Sequence, residues 1–239
     1  MSGGQYIALS ALKTRLQQLD QLADDLSNVN TSGYRGARAV QEAATREEFG
    51  AVLSTAVDTV TGATRMDTSK GTIDPTGRDL DVAIEGDGFF AVDTKDGTEY
   101  TRNGHFNRAI DGTLVTSDGA TVQGVDGPIT LGKGDARIDK DGKVWSGTSN
   151  VGQLLVVAVK DPGAMTRGTG ARLVANGQDA TPVDGAVVRP GSLEGSNVAM
   201  SEGLARLTTL SRNFEALQRA ISTLLNDVDG RFIDNMARR

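Results

Sequence analysis

The chain has 239 residues and a formal net charge of −6, because its 31 acidic residues outnumber its 25 basic ones. This length can bury the core of one or two domains, and an acidic balance without a basic block argues against nucleic acid or anionic lipid as a partner. The absence of cysteine excludes disulfide scaffolds, thiolate metal sites and cysteine nucleophiles.

The sequence shows no apolar run near the roughly 20 residues that span a bilayer. Its first residues also lack the basic stretch of a secretory signal. If the protein leaves the cytoplasm, we therefore expect export without a cleaved signal peptide.

The N-terminal residues repeat apolar side chains every seven positions, which is the spacing of an a/d heptad seam. Polar side chains fill the other faces, so the pattern predicts a helix from about residue 5 to residue 27. The predicted seam residues are Leu9, Leu12, Leu16, Leu19 and Leu26.

The residues that follow this helix predict its end. Asn28 and Asn30 can hydrogen-bond nearby backbone and tolerate left-handed angles, and Gly33 suits a terminating turn. Residues 36–75 show no clear period and are predicted to be an extended linker, in which Leu53–Val57 stays unassigned between extended chain and short helix.

The middle of the chain is predicted to be turn-rich β structure. Most of the 30 glycines lie between Gly71 and Gly195, and glycine interrupts helices and supplies positive φ in turns. Short apolar runs alternate with Asp-Gly dipeptides, which are a strong hairpin signal. These dipeptides begin at Asp96, Asp111, Asp118, Asp126 and Asp141.

A second heptad seam predicts a C-terminal helix from about residue 199 to residue 236, with Ser196 or Asn197 as its cap. A long helix with a single apolar seam needs a partner, which is either the N-terminal helix or another subunit. The seam residues are Leu207, Leu210, Phe214, Leu217, Ile221, Leu224 and Val228.

These elements predict an α+β fold in which long N- and C-terminal helices pair as a coiled coil, with a central glycine-rich all-β domain. The expected division is an N-terminal helix with its terminating signature over 1–35, an extended linker over 36–75, a β domain over 76–192 and a C-terminal helix over 193–239.

The sequence contains no complete catalytic or ligand-binding motif. His105, the only histidine, sits in a predicted turn without a visible acid–base partner. Gly127–Lys133 resembles a phosphate loop, but Gly134 follows where a hydroxyl is needed. Asp139–Gly142 resembles half a calcium loop whose later ligand positions are wrong. We expect no catalytic residue, metal, cofactor or small-molecule substrate.

Three segments of the chain share a known pattern. Asp24–Arg35 is similar to the signature that ends the N-terminal helix of flagellar rod and hook proteins. Thr76–Gly119 resembles the central T-G-x-x-L-D-x-A-I-x-G-x-G-F-F and Y-T-R-x-G-x-F motifs of that family, and Leu193–Glu215 resembles its C-terminal E-x-S-N-V and R-x-F/Y-E motifs. The set, in this order, identifies the chain as a member of that family.

The resemblance implies a structural, non-enzymatic subunit of the flagellar basal-body rod, located where the rod spans the periplasm. Its implied partners are other rod subunits, further copies of itself and the flagellar export apparatus. The implied assembly surfaces are the two seams, and the rod signature residues are Asn28, Asn30, Thr31, Gly33 and Tyr34.

Within the family, the modest length and the tail at residues 226–231 are similar to the proximal rod subgroup, and the distal rod subgroup is the alternative. Two other classes remain as rival hypotheses: an enzyme acting on peptidoglycan, and a soluble carbohydrate-binding module with a helical stalk.

Overall fold

The computed structural model describes residues 3–39 and 64–237, together with most of their side chains. The unassigned stretch Leu53–Val57 and the greater part of the predicted linker lie outside the described residues. The chain divides into two compact units. The helical unit contains helices α1 (Gly3–Ser27) and α2 (Met200–Ala237), and the β unit contains Asn28–Arg38 and Arg65–Ala199.

In the helical unit, α1 and α2 contact each other. The side chain of Leu26 packs directly on the backbone of Gly203, since a Cβ placed on Gly203 would lie 2.6 Å from Leu26 Cδ2. Neither helix, over the residues described, has an apolar stretch long enough to cross a membrane.

The predicted fold class is wrong. The described chain is mainly β structure, with two α-helices and one short 3-10 helix (Pro162–Ala164), and the two α-helices do not form a coiled coil. A coiled coil buries its a and d side chains in holes on the partner helix. Instead, Leu16 is 44% exposed, and none of the described seam side chains is fully buried. The heptad spacing indicated an apolar face on each helix but did not determine its partner.

Nineteen strands are described in the chain, all of them short. In chain order they are β1 (Ala37–Ala39), β2 (Thr64–Met66), β3 (Ile73–Pro75), β4 (Val82–Glu85), β5 (Phe89–Thr94), β6 (Gly97–Thr101), β7 (Phe106–Arg108), β8 (Leu114–Thr116), β9 (Thr121–Gly124), β10 (Gly127–Pro128), β11 (Ala136–Ile138), β12 (Lys143–Ser146), β13 (Ser149–Gln153), β14 (Val156–Val159), β15 (Thr166–Arg167), β16 (Arg172–Val174), β17 (Ala180–Pro182), β18 (Val187–Pro190) and β19 (Ser192–Glu194).

These strands form five sheets. The largest has ten strands in the order β15-β16-β6-β5-β9-β8-β7, with β10 paired to β9, β14 paired to β5, and β17 paired to β14. A three-stranded sheet has the order β11-β12-β13, and the pairs β1-β2, β4-β18 and β3-β19 complete the set. Each of the last two pairs joins a strand from the beginning of the β unit's sequence to a strand from its end.

The predicted Asp-Gly hairpins are confirmed. Each of the five dipeptides lies in the connection between two successive strands that pair antiparallel. Around Asp96 the pairing closes at Thr94 and Gly97, and around Asp126 it closes at Gly124 and Gly127. Two residues separate the strands in each of these hairpins, and the first residue of the returning strand, Gly97 or Gly127, has a positive φ, which glycine adopts readily.

The main core of the β unit lies beneath the largest sheet. Phe90 and Phe106 meet edge to face with ring centroids 5.2 Å apart, an arrangement that aromatic rings prefer. Aliphatic side chains from the small sheets complete this core, among them Val82, Val144 and Val188. A second, smaller core contains Met66, Phe89, Val159, Met165, Leu173 and Ala175.

Gly104 brings two backbone segments together beside the main core, to which Val82 belongs. A Cβ at this position would lie 1.7 Å from the carbonyl oxygen of Val82, whose own amide donates a hydrogen bond to the Gly104 carbonyl at 3.1 Å. No side chain fits in that space, so the glycine of the Y-T-R-x-G motif has a packing role.

We expect the Gly104→Ala variant to lose about 3 kcal/mol or more of its free energy of unfolding, because the added methyl group must displace backbone. The control is Gly119→Ala, at which a Cβ meets nothing within 4 Å and only the positive φ is strained, at a cost of about 1 kcal/mol. Urea unfolding of both variants measures the difference. Equal losses would contradict the close approach.

Candidate functional site

The residues that follow α1 form a loop, residues 28–36, here called the signature loop. Thr31 N donates a hydrogen bond to Asn28 O at 3.0 Å, and Thr31 Oγ1 lies 3.1 Å from Asn28 Oδ1. Tyr34 N donates to Thr31 O at 3.2 Å, and Asn30 lies exposed on the same turn. Asn28 and Thr31 therefore shape the turn by which the chain enters the β unit.

Gly33 lies in close contact with the turn that follows β6. Its φ is +68°, and a Cβ there would lie 2.1 Å from Asn103 N. Gly33 N also donates a hydrogen bond to Glu194 O at 2.7 Å. One glycine thus touches both the central and the C-terminal segment that carry the family pattern.

Glu194 is buried at the centre of an ionic cluster with two arginines. Its Oε1 accepts a hydrogen bond from Arg35 Nη2 at 2.5 Å and another from Gly71 N at 3.0 Å. Its Oε2 lies 3.3 Å from Arg102 Nη1. All three charged side chains are at least 95% buried. The Glu194 cluster therefore joins the signature loop, the β6–β7 turn and the end of β19.

The Glu194 cluster carries an excess positive charge. Burial lowers the pKa of Arg102 below its ordinary value, while the Glu194 carboxylate opposes that shift. Arg102 Nη2 donates to Gly86 O at 2.9 Å, and its guanidinium lies 5.3 Å from the Phe89 ring centroid. Because arginine stays protonated in proteins, the shared carboxylate is essential to both guanidinium groups.

Tyr34 is fully buried beside Arg167. The Arg167 guanidinium stacks on the Tyr34 ring at 4.5 Å from its centroid, and the same guanidinium donates hydrogen bonds to Tyr34 Oη and to Arg35 O. The signature tyrosine therefore anchors the loop through its ring and its hydroxyl group.

Asn197 fastens the C-terminal segment to the same loop. Its Oδ1 accepts a hydrogen bond from Gly36 N at 2.8 Å, and its backbone N donates to Tyr34 O at 3.3 Å. Its Nδ2 donates to Asp67 O at 2.9 Å. Asn197, predicted as a helix cap, instead satisfies backbone groups of the β unit, and α2 begins three residues later.

His105 belongs to a separate polar group around the buried Asp81. The Asp81 carboxylate accepts hydrogen bonds from Thr76 Oγ1 at 2.8 Å and Arg78 Nη1 at 2.9 Å, and His105 Nδ1 lies 2.9 Å from it. Arg78 Nη2 also donates to Phe106 O at 2.8 Å. These contacts link the T-G-x-x-L-D motif to β7, so the group has a structural role in packing the two segments together.

The predicted seam residues belong to the helical unit, whereas the signature loop belongs to the β unit. In the helical unit, Leu16 is exposed, whereas the side chains of Leu12, Leu19, Leu26, Leu207, Leu210 and Phe214 are partly buried. The side chains of Leu9, Leu217, Ile221, Leu224 and Val228 lie outside the described residues. The assembly role of the seams stays a prediction.

Four residues important to this site were not predicted as such: Arg35, Arg102, Glu194 and Asn197. All four lie within the motifs that carry the family resemblance. Arg35, Arg102 and Glu194 carry opposite charges in motifs that lie far apart along the chain. That pattern was the sequence signal from which ion pairing between the motifs could have been inferred.

Comparisons with known proteins match the same segments. The profile of the flagellar hook protein FlgE/F/G D1 domain matches residues 83–146, which contain Arg102. The profile of the flagellar basal body rod FlgEFG protein C-terminal region matches residues 189–224, which contain Glu194 and Asn197.

Three curated relatives are similar along nearly the whole chain. The flagellar basal-body rod protein FlgF of Caulobacter vibrioides is 31% identical over 230 residues, covering 92% of this chain and 92% of that protein. FlgF of Salmonella typhimurium is 31% identical over 241 residues, covering 95% of each. FlgG of Agrobacterium fabrum is 30% identical over 248 residues, covering 91% of this chain and 93% of that protein.

We expect Glu194→Gln to lower the free energy of unfolding by about 3–5 kcal/mol, because two buried guanidinium groups lose their shared counter-charge. The matched control is Glu85→Gln, which removes the exposed ion pair with Arg189 and should cost less than about 1 kcal/mol. Denaturant unfolding of the purified variants measures both. A loss at position 194 as small as that at position 85 contradicts the role of the cluster.

Proposed function

The chain belongs to the family of flagellar basal-body rod proteins and is a structural subunit of the rod; from this premise we propose that it is an FlgF-type subunit of the proximal rod. The alignment with the FlgG relative needs 248 residues to cover 91% of the chain, whereas the FlgF alignment needs 230 residues to cover 92%. The FlgF alignment therefore contains fewer gaps, which favours that subgroup. An FlgG-type distal subunit is the alternative.

The observation that carries the structural function is the convergence of the three family segments on Glu194. The signature loop follows α1 directly in sequence, and Asn197 stands three residues before α2. Their hydrogen bonds join the first and last segments of the β unit. Such fixed packing within the β unit supports a structural role.

We propose that apolar side chains on the helices contact neighbouring subunits. Leu16, Met200 and Leu204 are exposed in the single chain, and burying each apolar Å² contributes about 25 cal/mol. A contact repeated from copy to copy produces an axial, open-ended assembly. Other rod and hook components are the proposed neighbours.

The proposed role is non-enzymatic. Among the described residues, the buried carboxylates of Asp81, Glu99 and Glu194 are held in ion pairs with arginine, which supports a packing role for them. We also propose that the chain reaches the rod through the flagellar export apparatus, the route that the family resemblance implies.

Deleting the gene in its own bacterium should abolish swimming and leave basal bodies without a complete rod, and the tagged wild-type chain should restore both. A cryo-EM map of the basal bodies then locates the tagged subunit. Density at the base of the rod supports the FlgF-type assignment, and density at its hook end supports the FlgG-type alternative. Normal swimming after deletion would contradict the proposed function.

Leu16→Asp should reduce incorporation into basal bodies at least about tenfold, because a charge replaces an apolar contact in the assembled state. The free energy of unfolding of the purified chain should change little, since the side chain is already 44% exposed. Gln17→Asp, at the next and also exposed position, is the matched control. Immunoblotting of purified basal bodies measures both variants, and unchanged incorporation of Leu16→Asp counts against the helical contact.

A further inference from the structure

Two nitrogen atoms of the Glu194 cluster are buried without a hydrogen-bond partner. Among the residues that the structure describes, Arg35 Nη1 and Arg102 Nε are the buried side-chain polar atoms of this kind. The side chains that carry them are 3% and 5% exposed, so bulk water does not reach either N–H group. Buried N–H groups in native proteins are almost always paired with protein, ordered water or an ion, and an unpaired one is destabilising. Both groups therefore require an acceptor that the described side chains do not supply.

The same cluster contains more buried positive than negative charge. Arg35 and Arg102 share the single carboxylate of Glu194, and arginine stays protonated in proteins. Burial, and to a smaller extent the like charge of Arg35, lowers the pKa of Arg102. Arg167 places a further cation beside them, because its Nη2 donates a hydrogen bond to Arg35 O at 2.9 Å. A water molecule could accept the free N–H groups, but only an anion also compensates the excess charge, which is costly when buried.

Two neighbours of Arg102 compensate its charge only in part. The Asp87 carboxylate interacts with Arg102, but the Asp87 side chain is 92% exposed and pairs with Lys70 Nζ at 2.9 Å. Water and Lys70 therefore screen it. The Phe89 ring lies 5.3 Å from the guanidinium carbon of Arg102 and attracts the cation through its face, but the ring carries no net charge. The cluster therefore retains its excess of buried positive charge.

We propose that the Glu194 cluster binds one small monovalent inorganic anion, of the size of chloride, to which Arg35 Nη1 and Arg102 Nε donate hydrogen bonds. The burial of both side chains favours a small ion over an organic acid or a phosphate ester. Arg35, Arg102 and Glu194 come from distant parts of the sequence, so only the folded β unit forms the site. The anion is thus a structural ligand that stabilises the β unit by binding the folded chain and not the unfolded one. This site is independent of the proposed place of the chain in the rod.

Urea unfolding of the full chain at constant ionic strength tests this site, with sodium chloride replaced stepwise by sodium gluconate, whose anion is too large for a buried site. Urea adds no ions, and the fluorescence of Trp145, the only tryptophan of the chain, reports on the β unit. Above the dissociation constant, the folding equilibrium constant should rise in proportion to the chloride concentration, and by at least about threefold over the whole range. Arg35→Gln, which leaves Arg102 and Glu194 as a neutral pair, should lose this dependence. The matched control Arg189→Gln, which removes an exposed arginine, should keep it.

Each outcome decides the inference. A wild-type folding constant that is the same in chloride and in gluconate overturns it, as does an equal chloride dependence in the wild type and in Arg35→Gln. If Arg35→Gln does not fold, crystals of the wild type grown in sodium bromide replace that comparison. An anomalous bromide peak within hydrogen-bond distance of Arg35 Nη1 and Arg102 Nε supports the site, and its absence overturns it. A peak there without chloride dependence in solution means binding at crystal concentration only, which also overturns the inference.

Discussion

The structure depends on one buried carboxylate. Glu194 is the shared counter-charge of Arg35, from the start of the β unit, and of Arg102, from its middle, at 2.5 Å and 3.3 Å. Removing one partner from such a buried group costs far more than an exposed ion pair contributes. Folding therefore has to bring the three family segments together, because only then do the two buried guanidinium groups have their shared counter-charge. Two backbone amides also depend on this residue. Gly33 N donates a hydrogen bond to the backbone oxygen of Glu194, and Gly71 N donates one to its carboxylate.

This constraint explains why the family motifs have the residues they do. Gly33 is required where the loop touches Asn103, Tyr34 receives the Arg167 guanidinium, and Asn197 satisfies Gly36. These are packing and hydrogen-bonding roles, which suit a subunit whose work is to hold its position in an assembly. Exposed apolar side chains on the helices, such as Leu16, are where we propose that neighbouring subunits make contact.

The local parts of the structure could be predicted from the sequence, whereas the long-range parts could not. Asp-Gly dipeptides determine hairpins within a few residues, so the turns at Asp96 and Asp126 were predictable. The pairing of Arg35 with Glu194 joins residues 159 positions apart, and composition or periodicity cannot specify such a pair. The coiled coil was predicted wrongly for a related reason. A heptad repeat shows which face is apolar, but it does not determine whether a partner helix buries that face: Leu16, within the seam of α1, is 44% exposed.

Native-state hydrogen exchange measures the central claim most directly. If the Glu194 cluster is part of the core, the amides of Gly33 and Gly71 exchange only when the whole β unit unfolds. Their free energies of exchange should then equal that of Val82 N, which donates its hydrogen bond to Gly104 O within the core. Exchange of Gly33 and Gly71 through a local opening, several kcal/mol below the value for Val82, would contradict the account.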